Sequence, residues 1–316
     1  MIQNSEKVVK CSYTKRITND LLFGIHDDVP EFEISKHKDR RYAEIVYRCN
    51  FDAQSNSSLC IFHDPNYAFV NKQDRLNALI EESNGKLKPL VFVGFYLNNF
   101  QLRSVNLSKA YFIRCIFSGT TTIIKVSSKA TYFGHSDVGG PLTLAHSNLG
   151  DFVDFSGVTF HGRVLFLNKN VFSGEVKFFN SHFKGAAQFR YNKFTKLSFT
   201  NTTFDSLADF LNVHIVLDCT FFSSKFFGET IFSYAKFFQS FQLEYIEFHE
   251  EVDFLECEIK GYMSLKNVTF LNKISFDNAR ISEAQFDKCN FNDNVSFDNR
   301  NRHNDAKVII GSVFGG

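Results

Sequence analysis

Tryptophan is absent from this 316-residue chain, methionine occurs twice, and none of its 4 prolines lies beyond Pro141. Irregular core space is normally filled with side chains of varied shape, so this narrow choice argues against an ordinary globular interior. The missing proline matters separately. A long segment without it can use every backbone N–H in a hydrogen-bonded ladder, which proline cannot join. No apolar run approaches the roughly 20 residues of a bilayer span, so no membrane span is expected. The start, MIQNSEKVVKC, lacks the apolar stretch of a secretory signal. With 7 cysteines, an odd number, a disulfide framework is not indicated and a cytoplasmic location is expected. Excess charge is missing too: the net value is +1, with 13 basic and 13 acidic residues over 1–90 and 22 and 21 over the remainder. These totals indicate neither a polyanion-binding surface nor a strongly acidic mimic, and nucleic acid is not an expected partner.

What the chain does have is phenylalanine: 40 residues, five in 1–90 and 35 in 91–316. One large flat side chain used so often fills the same space many times, which points to a repeat. The stretch Phe95 to Gly119 divides as FYLNN-FQLRS-VNLSK-AYFIR-CIFSG, with Leu97, Leu102, Leu107, Phe112 and Phe117 at the third position. A period of five matches neither a strand nor a helix. It fits a chain that turns a corner every five residues, the central residue of each short side pointing inward.

One register with steps of five or six carries this pattern to Phe297 through 38 central positions, 25 of them Phe. Ser128 alone is not apolar, and Gly139-Gly140-Pro141 suggests a distorted or looped-out coil nearby. Small or medium residues recur two before the centres, as at Val158, Val176, Ala187, Ala208 and Ala235. Glycines recur two after them, at Gly119, Gly140, Gly157, Gly162, Gly174, Gly185, Gly228 and Gly261. A corner with positive φ is expected at each of these glycines. At four sides per coil the register makes about nine coils, a rod on the order of 45 Å long at ~4.8 Å per strand.

The segments AYFIR, VNLSK and ISEAQF-DKCNF resemble the pentapeptide-repeat family, with the six-residue sides FSGEVKF, FKGAAQF and FHEEVDF marking a Phe-rich variant. The resemblance implies an all-β solenoid, a right-handed quadrilateral β-helix, over residues 91–300. With no recognisable active site, the expected function is a non-enzymatic scaffold or protein-interaction module that uses the rod's faces and the N-terminal region as contact surfaces, and the sequence does not name its protein partner. Some members of that family imitate DNA and bind gyrase, which requires a strongly negative rod. Here only the stretch with Glu244, Glu247, Glu250, Glu251, Asp253 and Glu256 is acidic, so it is expected to form a surface patch.

Residues 1–90 lack the pentad and are expected to form a small α+β cap over the open end of the solenoid. Within them, a helix is predicted after Asp64-Pro65, capped by Asp64, stopped by Gly85, with Tyr67, Val70, Leu76, Leu79 and Ile80 as its apolar stripe. Cys115, Cys219, Cys257 and Cys289 fall two before centres and act there as small apolar residues. Cys11, Cys49 and Cys60 are left over, and Cys60 is followed three residues on by His63. Three thiolates and an imidazole form a complete structural zinc set, competing with a reading of buried free thiols and a helix-capping histidine. A catalytic centre in the cap is a further alternative, although catalytic zinc keeps an open position. No nucleotide loop, nucleophile elbow or HExxH helix is present. Residues 301–316 are expected to form a tail in which VIIGSV either adds a last strand or leaves an open coil that pairs two copies as a homodimer.

Overall fold

The computed structural model describes residues 9–17, 32–34, 45–167, 169–297, 307–310 and 313–315. From Leu90 onward the chain winds as a parallel β-solenoid of about nine turns. The interior column of each of its four sides can be followed from coil to coil. One column runs Leu97, Phe117, Val138, Phe160, Phe183, Phe204, Phe226, Phe248, Phe270, Phe291, each paired with the next in parallel register. The second face carries Leu102, Ile123, Leu144 and Phe166. The third carries Phe172, Phe194, Ile215, Phe237 and Ile259. The fourth carries Phe178, Phe199, Phe221, Leu243 and Leu265.

Parallel strands lie ~4.8 Å apart, and that spacing fixes the aromatic geometry. Most rings in one column stack nearly parallel, as in Phe172–Phe194 at 4.6 Å and Phe183–Phe204 at 4.7 Å, while Phe166–Phe189 meet edge-on at 75°. Rings on different faces meet edge-on, as in Phe178–Phe189 at 75°. Offset stacks and edge-on contacts are the arrangements that suit the ring quadrupole. Residues two before the centres also face inward: Ala187, Ala208, Val213 and Cys219 are completely buried. Where that position is polar, its side chain bonds to the backbone, as when Ser181 donates to the Phe155 carbonyl at 2.8 Å and Thr202 to the Phe178 carbonyl at 3.0 Å.

The corners differ from the sequence expectation. Positive φ occurs two residues after centres of the second and fourth faces, at Ser104, Lys125, His135, Asn180, Asn201, Asn212, Ser223, Tyr234 and Tyr245, among others. These corners close sides of five residues. Of the eight glycines read as positive-φ corners, Gly119 and Gly157 have that conformation. Gly140, Gly162, Gly174, Gly185, Gly228 and Gly261 do not; a Cβ on any of them would collide with the backbone of the preceding coil. All six lie on six-residue corners, where the chain runs tight against the preceding coil. Close approach, rather than φ, selects glycine there.

Two other expectations meet the structure here. No loop leaves the rod at Gly139-Gly140-Pro141: Val138 pairs with Phe117 and Phe160, and Leu142–Ala145 pairs with strands on both sides. A register shift lies nearby at Ser128–Ala130, where the facing coil carries one extra residue between Leu149 and Phe152. Ser128 does occupy a central position, buried, its hydroxyl donating to the Ala130 carbonyl at 2.8 Å. At the far end, backbone strands Lys307–Ile310 and Val313–Gly315 pair in parallel with Glu283–Phe286 and Cys289–Phe291. The expected tail therefore returns to the solenoid as strands, the first of the two outcomes weighed. Residues 298–306 lie outside the described residues.

A test follows from the columns. Phe189, fully buried between Phe166 and Phe210, should cost roughly 3–5 kcal/mol on replacement by alanine. Phe297, stacked on Phe276 but 62% exposed, should cost about 1 kcal/mol. Guanidinium unfolding midpoints of the two variants should separate accordingly.

Candidate metal centre in the N-terminal cap

Before the first coil, β1 (Thr14–Ile17), β2 (Phe32–Ile34) and β3 (Ile45–Arg48) form an antiparallel sheet in the order β1-β3-β2. The single helix expected after Asp64 is two elements. Pro65–Tyr67 is a 3-10 turn, and Asp64 caps it by accepting from the Asn66 N–H at 2.9 Å. The helix α1 then spans Gln73–Ser83, with the Asn71 side chain accepting from the Gln73 N–H at 2.9 Å. Leu76 and Ile80 are buried and Leu79 packs against the core, whereas Val70 is exposed. The break shifts the 3.6-residue phase, so Tyr67 and Val70 do not belong to that stripe.

Cys11 precedes β1, Cys49 follows β3, and Cys60 and His63 lie on the connection toward the 3-10 turn. Antiparallel pairing of β1 with β3, Thr14 opposite Arg48, brings the first two together across a long intervening segment. The four side chains are buried, and one ligand atom from each lies within 4.8 Å of all the others. The individual separations are 3.7 Å for Cys49 Sγ–Cys60 Sγ, 3.2 Å for Cys60 Sγ–His63 Nδ1 and 3.6 Å for Cys11 Sγ–His63 Nδ1. A tetrahedron with zinc–sulfur bonds of ~2.3 Å and a zinc–nitrogen bond of ~2.0 Å has edges of about 3.5–3.8 Å. Two of the three separations fall within that range, and Cys60 Sγ–His63 Nδ1 is shorter.

The surroundings orient this set. His63 Nε2 donates to the Val93 carbonyl at 2.8 Å, which leaves the Nδ1 lone pair toward the sulfurs. That is the outer hydrogen bond that fixes a ligating imidazole. The Cys60 N–H donates to Cys11 Sγ at 3.2 Å. Tyr13 stacks on the His63 ring at 3.8 Å, and its hydroxyl lies so near Gly94 that any side chain there would collide with it. Phe62 stacks on Phe95 at 4.7 Å. The short segments that carry the thiols therefore also make the contacts to the first coil.

Charge in the cluster is unevenly shared. The Cys60 thiol is held well below the ordinary thiol range, chiefly by the hydrogen bond from Cys49, against the effect of burial. Cys49, the donor in that pair, moves up, and burial raises Cys11. A thiolate is the metal-ligating form. Nearby, Lys72 is buried with its ammonium donating to the Tyr96 carbonyl at 2.9 Å. Burial lowers Lys72 to about 8, against the opposing pull of Cys60 and Asp64.

The acidic residues singled out in the sequence do not converge. Lys266 meets Glu244 at 3.1 Å, Lys225 meets Glu247 at 3.3 Å, and Asn272 donates to Glu250 at 3.3 Å. Asp253 accepts from the Ser233 hydroxyl and the Leu255 N–H, while Glu256 stands at a positive-φ corner. Glu251 is exposed. They lie on different faces of the rod, and two of them, Glu244 and Glu247, are answered by a lysine one coil away. Cys115, Cys219, Cys257 and Cys289 are buried among apolar residues, as their positions two before the centres require.

Two further features were not read from the sequence. The Val93 carbonyl, which orients His63, gives no side-chain signal at all. Asn170 and Asn192 form a buried ladder in which the Asn170 N–H donates to Asn192 Oδ1 at 2.8 Å and the Asn192 amide donates to the Phe166 carbonyl at 2.7 Å. A ladder of this kind could have been found only by aligning coils, since its two members are 22 residues apart.

Residues 254–299 match the family model described as pentapeptide repeats (9 copies). No curated protein and no solved structure matches the chain. Among the described residues, no helix is long and apolar enough to cross a membrane.

Lys72 supplies a pH test. Its folded value lies below the unfolded one, so between pH 8 and about 10.4 the unfolded chain binds more protons. Stability should therefore rise with pH across that window, and Lys72→Met should reduce the slope. Denaturation midpoints across about pH 7.5 to 10 measure the difference.

Proposed function

We propose that this pentapeptide-repeat protein is a non-catalytic binding scaffold, and that a zinc ion held by Cys11, Cys49, Cys60 and His63 locks its cap onto the first coil. The observation that carries the metal reading is the meeting of four buried ligand atoms, within 4.8 Å of one another, from three separate segments. Hydrophobic packing alone gives no reason for three thiols to face one imidazole nitrogen. Zinc would neutralise that concentration of donors and supply folding energy to a cap with few core residues of its own. Four protein ligands fill a tetrahedral shell, which favours a structural site over a hydrolytic one that needs a free position.

The scaffold reading rests on the rod. Its interior is filled by side chains, and its outer positions present aligned rows that a partner can read. Imitation of DNA is disfavoured, because Glu244 and Glu247 are paired with lysines and the acids are divided among faces. A catalytic cap is disfavoured by the closed ligand set.

Protein purified without added metal should contain one zinc per chain by atomic emission, and Cys60→Ser or Cys49→Ser should reduce it to a small fraction. Chelation should make residues 1–90 protease-sensitive while the solenoid persists as a resistant fragment. Zinc release should rise as pH falls, because protons compete for the thiolates. Wild-type protein that neither contains zinc nor competes for it with a chelating dye would overturn the metal reading. A partner recovered from native lysate by the intact rod, and lost on charge reversal of an outer row, tests the scaffold reading.

A further inference from the structure

Net charge close to zero conceals an uneven distribution that only the coil register displays. At the corner between the second and third faces, successive coils place Lys125, His146, Lys169, Tyr191, Asn212 and Tyr234 in one row, each with positive φ. Beside it, the first outward row of the third face runs Val171, Lys193, His214 and Lys236, paired coil to coil. Lys125, Lys169 and Lys193 are exposed, and among the described residues no acid lies within ion-pair distance of them. Tyr191 is 53% exposed and Val171 42%. Together Lys169, Val171, Tyr191, Lys193 and His214 line a shallow groove of about 360 Å³, floored by the buried Asn170 and Asn192. The His214 imidazole is lowered by partial burial first and then by Lys236 and Lys193, consistent with a positive local field. The stripe ends abruptly one coil beyond Lys236, at Glu256 and Glu258.

We infer that this corner is the docking surface of the scaffold for a short, extended, acidic peptide segment that also carries an apolar or aromatic residue. The inference rests on the scaffold reading and names the chemistry of its partner. From Lys125 to Lys236 is about five coil steps, ~24 Å at the strand spacing, which an extended peptide covers in about seven residues. The lysines answer carboxylates, while Val171 and Tyr191 offer an apolar contact in the middle of the run. A nucleic acid strand fits less well, because Glu256 and Glu258 bound the stripe and the chain as a whole supplies little attraction for a polyanion.

The test uses the full-length protein and a fluorescein-labelled eight-residue peptide of alternating glutamate and tyrosine, followed by fluorescence anisotropy. Wild type should bind it saturably, weakening at least about tenfold between roughly 50 and 500 mM salt, on the order expected for screened ion pairs. Lys169→Glu with Lys193→Glu should weaken binding at least tenfold. Lys177→Glu with Lys225→Glu, on other faces, should leave it within twofold. Tyr191→Ala should weaken binding several-fold without changing the salt dependence. All these positions are at the surface, and an unchanged melting temperature separates lost binding from lost fold. Equal binding by wild type and the Lys169/Lys193 variant overturns the inference, as does tighter binding of a twelve-residue oligo-dT than of the peptide. If the peptide fails while a lysate partner is still retained by another row, the inference falls and the scaffold reading survives. If charge reversal of no row affects any partner, the scaffold reading fails as well.

Discussion

Every feature of this rod depends on the parallel hydrogen-bonded register between successive coils. Once one coil lies on the next at the strand spacing, each residue stands directly over its equivalent in the coil before. Like is placed on like, with almost no freedom to do otherwise. Phenylalanine suits such an interior because two flat rings at that spacing stack, as Phe178 does on Phe199 at 4.7 Å. The same constraint makes six-residue corners intolerant of a Cβ at Gly140, Gly162 and Gly185, where successive coils run nearly backbone on backbone.

The same stacking organises the exterior. A lysine or tyrosine repeated at one position becomes a row, and a substitution at one coil becomes an interruption in that row. Charges that cancel along the sequence separate into faces: Lys169 and Lys193 stand together without an acid, while Glu244 and Glu247 meet Lys266 and Lys225. Binding specificity in such a molecule is a matter of which rows are left unanswered.

A register that propagates so well must also be stopped. At the N-terminal end the segment before the first coil supplies packing through Phe62 on Phe95 and a polar fastening through His63 to Val93. The thiols that surround His63 come from segments already joined by β1–β3 pairing and by backbone hydrogen bonds such as that from the Ser12 N–H to the Ser58 carbonyl at 2.8 Å. A metal there would give this end a stability that its small core lacks. At the C-terminal end the strands at 307–310 and 313–315 continue two faces, while the ring of Phe297, stacked on Phe276 of the second face, is exposed.

The spacing of Phe, the small residues two positions before it, and the absence of proline after Pro141 were enough by themselves to determine the solenoid, its number of coils and its inward-facing residues. They were enough because the repeat makes the local pattern and the global fold one statement. Four cysteines could likewise be assigned to the core, and Cys60 with His63 could be paired from their spacing alone. Only the tertiary structure brought Cys11 and Cys49 to them, since β1–β3 pairing across a long intervening segment has no periodic signature. It also decided which corners use positive φ. Asn212, Tyr234 and Gly228 all follow a central position by two, yet only the alternation of five- and six-residue corners separates them. The basic corner was invisible in the linear chain for a related reason. Its members are a whole coil apart in sequence and one strand spacing apart in space, and only the winding of the coil turns the first distance into the second.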